Sequence, residues 1–313
     1  MLRRIAQEAI IGVVRPYVSA ELPGWGRVYS ALVGSFTRDA FWKDAPKRTA
    51  RNKLFGYESE WDLSKWADRQ AFFLRRWYDL PTQLLTLAVR ADTIVDIGAN
   101  RGDFALSAAA MDPGARIIAF EPNPNIAAVL RQDLQRNSIR NVEVRECALS
   151  DQEDTLTLCV PFLNSGSASL GGFVGDGYEV KVPVRIGDDE LAGVDPGLIK
   201  IDVEGFELRA LKGLRKTIER AQPIIETELM EDNLARCQTS SDEVTEFMRS
   251  LGYRGFGMEL RRDGREHRLA LVELGATWDA VWLPKNADPA AISASTAELR
   301  TLRRNAKSAP AIT

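Results

Sequence analysis

Histidine is almost absent from this 313-residue chain, His267 being the only one. That removes the commonest general base and metal ligand from nearly every position. Cysteine is scarce as well. Cys147, Cys159 and Cys237 are odd in number and widely spaced, which excludes a close zinc-type ligand set. A disulfide framework is not expected in a chain long enough to bury a substantial core, so a reducing, cytoplasmic setting is the default. Charge of either sign is not in excess: 41 Lys and Arg face 44 Asp and Glu, a formal −3, leaving no electrostatic footprint for nucleic acid. No apolar run approaches the roughly 18 residues that span a bilayer.

The opening MLRRIAQEAIIGVVRPYV has Arg3 and Arg4 before apolar residues, but Gln7 and Glu8 interrupt it and no small-residue cleavage site follows. At helical spacing Ile5, Ala9, Val13 and Val14 make one apolar face, predicting an amphipathic helix over residues 1–18. Such a helix packs on the main domain or a partner subunit; the sharper reading is a peripheral membrane contact. Residues 62–90 show helical periodicity broken near Pro81, which is well placed to open a second helix.

From Thr93 the texture becomes an alternation of strand and helix. TIVDIG, ARIIAFEP, VEVRECALS and GLIKIDVEG read as strands, with helices such as DFALSAAAM and FELRALKGLRKTIER between them. This alternation predicts a doubly wound, mostly parallel α/β sheet, and the turn RRDGRE near the end predicts an antiparallel edge hairpin. The expected layout is an N-terminal helical extension over 1–90, a main domain over 91–286 and a tail over 287–313.

Val95-Asp96-Ile97-Gly98-Ala99-Asn100-Arg101-Gly102 is the most informative stretch. A buried strand ends in an acid and turns through two glycines into a helix. Glycine serves where backbone approaches a ligand closely or takes a positive φ. The spacing is not the G-x-G-x-x-G of dinucleotide binders. Glu121 ends the next strand, 23 residues beyond Gly98, where an acid can accept both hydroxyls of a ribose. Asp96 suits a positively charged cofactor better than a phosphate, and no Lys is offered for phosphates. Together these favour S-adenosylmethionine over NAD.

VDIGANRGDFALSAAA resembles the first motif of the FkbM family of S-adenosylmethionine-dependent methyltransferases. FEPNP, ALSD, NSGSASL, IKIDVEGFELRALKG and DAVWLPK continue the likeness, covering roughly residues 55–286. The resemblance implies a seven-stranded Rossmann-like methyltransferase sheet and a cofactor loop of Asp96, Gly98, Ala99, Asn100 and Gly102. It implies Glu121 as the ribose acid, with Pro122 and Asn123 on the adenine side and Ala148, Leu149 and Ser150 flanking the adenine. Asp202 ends LIKID and points at the crevice where methionine and acceptor meet. Asp103 and Ala105 stand where the family more often has an aromatic residue and a threonine, and around the lead-in Tyr78 its usual glycine and glutamate are replaced by Arg76 and Asp79.

Asp202, Glu204 and Glu207 lie on or just past one strand end, and Glu226 and Glu228 at the end of another. The functional readings are hydroxyl binding, a general base or a divalent-metal ligand. For Glu207, capping of the following helix is the better reading. Asp202, Glu204 and Glu228 are the candidate catalytic acids, and His267, in the late hairpin, is a further candidate. No clean metal triad is visible, so a divalent metal stays open. Residues 164–180 form a Gly/Ser-rich loop in which Asn164 and Ser167 are the candidate acceptor-binding side chains. Trp61, Trp66 and Trp77 read as core rather than carbohydrate platforms. The expected activity is O-methyl transfer to a hydroxyl of a sugar, glycan or secondary metabolite. The alternatives are a non-catalytic protein of the same fold and an NAD-linked oxidoreductase.

Overall fold

The computed structural model describes residues 2–34, 38–75, 80–162, 165–172, 175–263, 266–275 and 278–294. The chain forms two compact units, one of residues 1–78 with 162–166, the other of residues 79–161 with 167–313.

The first unit holds α1 (Leu2–Ser19), α2 (Trp25–Leu32), α3 (Asp39–Trp42), the hairpin β1 (Arg48–Arg51) and β2 (Glu58–Trp61), and α4 (Trp66–Leu74). Its core is aromatic. Trp42 meets Phe73 edge-on at 5.9 Å between centroids, and Tyr29, Trp61 and Phe72 pack around them. Arg69 is fully buried there, bonded to the carboxylate of Asp39 and the carbonyl of Leu63. One expectation is reversed. α1 packs through Gln7, Val14 and Val18, while Ile5, Ala9 and Val13 face outward.

The second unit opens with α5 (Leu80–Val89), in which Pro81 takes the second position. The alternation then runs β3 (Thr93–Ile97), α6 (Asp103–Met111), β4 (Arg116–Phe120), α7 (Pro124–Arg136) and β5 (Val142–Arg145). β6 (Ala148–Ser150), β7 (Asp154–Pro161), β8 (Gly177–Ile186) and α8 (Gly187–Glu190) follow, then β9 (Leu198–Ile201), α9 (Glu207–Gly213), α10 (Arg215–Ala221), β10 (Ile224–Glu228), α11 (Glu231–Arg236) and α12 (Ser241–Ser250). The chain closes with β11 (Tyr253–Asp263), β12 (Glu266–Glu273), β13 (Asp279–Pro284) and α13 (Pro289–Ala294). Asn123 caps α7 through Asn125 N–H at 3.1 Å, with Pro124 behind it.

Among the described residues the main sheet has eight strands in the order β12-β11-β13-β10-β9-β3-β4-β5. β10, β9, β3, β4 and β5 are parallel; β13 is antiparallel to β10, and β11–β12 is the expected edge hairpin. This is the doubly wound α/β class, with eight strands where seven are expected. The segment VEVRECALS is not one strand: β5 joins the main sheet, whereas β6 pairs with β8 in a separate three-stranded sheet with β7. Glu146 and Cys147 break the run, and the chain turns away to pair with the long amphipathic β8 instead. Val95, Ile97, Ile118, Phe120, Ile199, Ile201 and Trp282 form the core around the sheet. Such all-round burial is why these strands read as continuous apolar runs.

At Gly98 φ is +84°, and an added Cβ would sit 1.9 Å from the Asp202 carbonyl oxygen. The glycine thus lets the ends of β3 and β9 close on each other. Gly98→Ala is expected to cost roughly 2–3 kcal/mol, between backbone strain and the forced separation, read as a lower urea midpoint.

Candidate functional site

Strand order brings the sequence-predicted acids together. β10, β9, β3 and β4 are consecutive neighbours, so their carboxyl ends carry Glu228, Asp202, Asp96 and Glu121 along one edge of the sheet. Ligands of open α/β sheets bind at this edge.

Asp96 is wholly buried, and neither carboxylate oxygen meets a protein donor in hydrogen-bonding geometry. Burial pushes its pKa up to about 6; the Lys200 ammonium works against that rise, as does the nearby Ala105 N–H. Glu121 is buried too, and burial lifts it to about 7. Its Oε2 accepts Asn100 N–H at 2.8 Å and its Oε1 accepts Asn123 N–H at 2.8 Å. Glu121 thereby ties the glycine turn to the start of α7, and each oxygen keeps lone-pair capacity for a further donor. Gly98 and Gly102 both have positive φ, and so does Asn100, whose Oδ1 is buried without a partner. Asn123 Nδ2 donates to the Tyr178 hydroxyl at 3.3 Å. Pro122 follows Glu121 in the same connection, and Ala99 is buried in the turn. Ala148, Leu149 and Ser150 form β6 and are entirely buried beside β8.

Lys200 is a residue the sequence reading missed. It faces Asp96 across β3 and Glu226 across β10 in register, so acid, ammonium and acid form a row over three parallel strands. Its Nζ donates to Asp202 Oδ2 at 2.9 Å. Burial alone would lower the ammonium, but Asp202, Asp96 and Glu226 outweigh it and hold Lys200 above its ordinary value. Glu226 also accepts from the Thr82 hydroxyl of α5. The signal was legible: a lone lysine inside LIKI, a strand otherwise apolar and buried, must be paired.

Beyond β9 the carboxylates of Asp202, Glu204 and Glu228 converge, each offering an oxygen within 4.8 Å of the others. No triad was visible in the sequence, because Glu228 lies 24 residues beyond Glu204 and only the parallel pairing of β9 with β10 joins them. Asn233 bridges two of them, its Nδ2 reaching Glu204 Oε2 at 2.5 Å and Glu228 Oε2 at 3.3 Å. Burial pushes Glu204 up to about 8, helped by the charges of Asp202 and Glu207. Burial and the same acids, with Glu204 and Asp279, push Glu228 up to about 10. Glu204 takes a left-handed φ of +54°, held by Ser169 Oγ donating to its carbonyl at 2.7 Å. Glu207 sits in the first turn of α9, and its Oε1 accepts Val203 N–H and Gly205 N–H. Those two bonds tie down the turn before α9 rather than cap the amides of that helix, although Glu207 does stand as an acid in the first helical turn.

Ser167 closes a short 3-10 turn over Ser165–Ser167. Asn164 lies outside the described residues, as do Arg76, Trp77, Tyr78 and Asp79. His267 lies in β12 opposite Arg262, with its side chain outside the described ones. Pairing of β11 with β13 ends at Gly257↔Ala280, whereas pairing with β12 runs on to Asp263↔Glu266, so His267 lies where the sheet is two strands wide. Trp61 is buried and Trp66 is half-buried, as core tryptophans should be. Among the described residues the exposed tryptophan is Trp278, 73% accessible. It borders a cavity of about 640 Å³ with Met230, Asp232, Asp242 and Arg249, beside the end of β10. Sequence gave no reason to single it out, since its neighbourhood is set by the β10–β13 pairing.

Fold and site define a doubly wound α/β protein with its ionisable side chains gathered at the carboxyl ends of the central strands. The methyltransferase FkbM domain matches residues 96–254, half of the chain, and the chain belongs to that family. Methyltransferase sdnD of Sordaria araneosa is 32% identical over 39% of this chain and 60% of its own length. The 31-O-demethyl-FK506 methyltransferase FkbM of Streptomyces tacrolimicus is 31% identical over 39% and 59%. The hexuronic acid methyltransferase AglP of Haloferax volcanii is 27% identical over 49% and 62%. The chain thus spans less than two thirds of the length of these relatives. A solved methyltransferase FkbM from Methylobacillus flagellatus matches with 21% identity over 61% of this chain and 43% of that one, at a TM-score of 0.41. Among the described residues no helix is long and apolar enough to cross a membrane.

Proposed function

We propose that this chain is an S-adenosylmethionine-dependent O-methyltransferase acting on a hydroxyl of a sugar, glycan or small secondary metabolite. One observation carries the reading: a buried, unpartnered acid and a ribose-type acid end β3 and β4, while a second acid group ends the adjoining β9 and β10. Donor and acceptor would then lie side by side along one sheet edge. The donor fits these residues because Asp96 is a fully buried carboxylate whose oxygens make no hydrogen bond of standard geometry, so that a cationic methionine end would add to the partial compensation from Lys200 and the Ala105 N–H. In this reading Asp96, Gly98, Ala99, Asn100 and Gly102 line the methionine and ribose side. Glu121 takes the ribose hydroxyls, Pro122 and Asn123 the adenine, and Ala148, Leu149 and Ser150 flank it.

The sulfonium supplies an activated methyl group, leaving the chain to align the acceptor oxygen and take its proton. Asp202 is the proposed base: its Oδ2 is held by Lys200, which leaves Oδ1 to receive the hydroxyl proton. Glu204 and Glu228, lifted to about 8 and about 10, keep their protons near neutrality and act there as hydrogen-bond donors. Those three carboxylates are also a hard-oxygen set that a divalent cation would fit, and such an ion would acidify the hydroxyl. Asn164 and Ser167 remain the proposed acceptor contacts. Trp278, beside Glu228 through the Glu228↔Asp279 pair, offers a sugar ring an exposed aromatic face. The substrates for which two relatives are named, 31-O-demethyl-FK506 and a hexuronic acid, support an oxygen acceptor. The three free cysteines favour a reducing compartment, the cytoplasm.

Calorimetry with S-adenosylmethionine and its demethylated product tests the donor, and absence of binding to both would sink the reading. Mass spectrometry across hydroxylated sugars and glycans tests the acceptor. Donor binding with no methylated product from any of them would favour the non-catalytic alternative. Full activity in excess chelator would exclude an exchangeable metal.

A further inference from the structure

The outward face of α1 is apolar along its whole length. Leu2, Ile5, Ala6, Ala9, Gly12, Val13 and Pro16 are all exposed, with Leu2, Ile5 and Val13 at 81%, 58% and 75%. At about 100° per residue they occupy roughly a third of the helix circumference, opposite the buried Gln7, Val14 and Val18. A Cβ added at Gly12 would meet nothing within 4 Å. The concentration extends beyond the helix. Of the eight exposed large hydrophobic side chains among the described residues, six belong to the first unit: Leu2, Ile5, Val13, Leu22, Leu32 and Phe162.

Charge is divided just as unevenly. The first unit holds fourteen Lys and Arg against eight Asp and Glu, a net +6, so the remainder of this −3 chain carries −9. Arg3 and Arg4 stand in the first turns of α1, and Arg27, Arg38, Lys43 and Lys47 are exposed on the same unit. The pair of Arg3 with Asp44 at 3.2 Å is exposed on both sides and therefore weak.

We propose that α1 docks the protein on an anionic membrane surface, with Leu2, Ile5 and Val13 entering the headgroup boundary and the first unit's cations facing the lipid phosphates. Interfacial helices combine an apolar face of this kind with basic surroundings, and their long cationic side chains reach the headgroups from the helix flanks. The area argues against a second copy as the occupant. An 18-residue helix is about 27 Å long and about 10 Å wide, so its outward face offers roughly 270 Å², against about 800 Å² per partner for a stable dimer. A shallow membrane contact needs no such area.

The test uses the full chain and needs neither methyl donor nor acceptor, so its outcome is separate from that of the methyltransferase reading. Co-sedimentation is measured with pure phosphatidylcholine vesicles and with roughly 7:3 phosphatidylcholine–phosphatidylglycerol vesicles, at about 0.1 M and about 0.5 M NaCl. The expected result is at least tenfold stronger partitioning to the anionic vesicles, weakened by salt. The double substitution Ile5→Asp with Val13→Asp, on side chains that support no core, should remove at least tenfold of it with an unchanged circular dichroism spectrum. Arg3→Gln with Arg4→Gln, which keeps the apolar face, should narrow the gap between the two vesicle types. Equal partitioning of the wild type and the Asp double variant, or no binding to either vesicle, overturns the proposal. So does a concentration-dependent dimer that the Asp double variant converts to monomer, which would assign the face to a second copy.

Discussion

Asp202→Asn is expected to lower turnover by about 10²- to 10⁴-fold while donor affinity stays within a few-fold of the wild type. The amide keeps the shape and still offers Lys200 an acceptor oxygen, so the 2.9 Å contact and the end of β9 survive. What it loses is the ability to take the acceptor's proton. The contrast is Glu228→Gln. Glu228 is pushed up to about 10 by burial and by four neighbouring acids, so at pH 7 the substitution replaces one neutral group by another. Its effect on turnover should stay within about tenfold. Single-turnover mass spectrometry with saturating donor separates the two. Unchanged product formation in the Asn variant would remove Asp202 from the chemistry, and an equal loss in both variants would assign proton transfer to the group as a whole.

The parallel part of the sheet was legible in the sequence because its strands are buried on both faces, which leaves short, mostly apolar runs such as TIVDI, broken only near its end by Asp96, and LIKI, broken by Lys200, between helices. The acids at its edge were legible for the same reason: each closes such a run. Three things could not be read that way. The junction of β5 and β6 is hidden because VEVRECALS contains no glycine or proline to mark the break at Glu146 and Cys147, and only pairing partners show that the chain changes sheets. The packed face of α1 was misassigned because the rule places apolar residues inward. Here a buried Gln7, donating to the Phe41 carbonyl at 2.7 Å, marks the inward side, and Ile5 and Val13 are left outside. The convergence of Glu228 on Asp202 and Glu204 depends on the parallel register Thr227↔Ile201, a long-range relation with no local trace.

Loss of the Glu121 carboxylate is the second large effect expected. Glu121→Gln should weaken S-adenosylmethionine binding by about 10²-fold, since a charge-assisted acceptor for two hydroxyls becomes a neutral amide with one acceptor oxygen. The pH dependence gives the sharper reading. In the free protein burial raises Glu121 to about 7 and Asp96 to about 6, so both lose part of their charge on mild acidification. A donor that binds the ionised forms should therefore bind more tightly from pH 5.5 to pH 8, with proton release detectable by calorimetry in buffers of different ionisation enthalpy. Stability of the unliganded protein should move the opposite way. A carboxylate whose folded pKa is raised stabilises the fold below its ordinary pKa, and that contribution is lost as pH climbs through the raised value. Glu121 and Asp96 thus predict a melting temperature that falls between about pH 4 and pH 7, with the stabilisation given by saturating donor growing over the same span. In the Gln variant the slope of log Kd against pH should drop by about one, leaving the part centred on Asp96 near pH 6. An unchanged slope would mean that Glu121 does not ionise on binding and that the ribose is held by other groups.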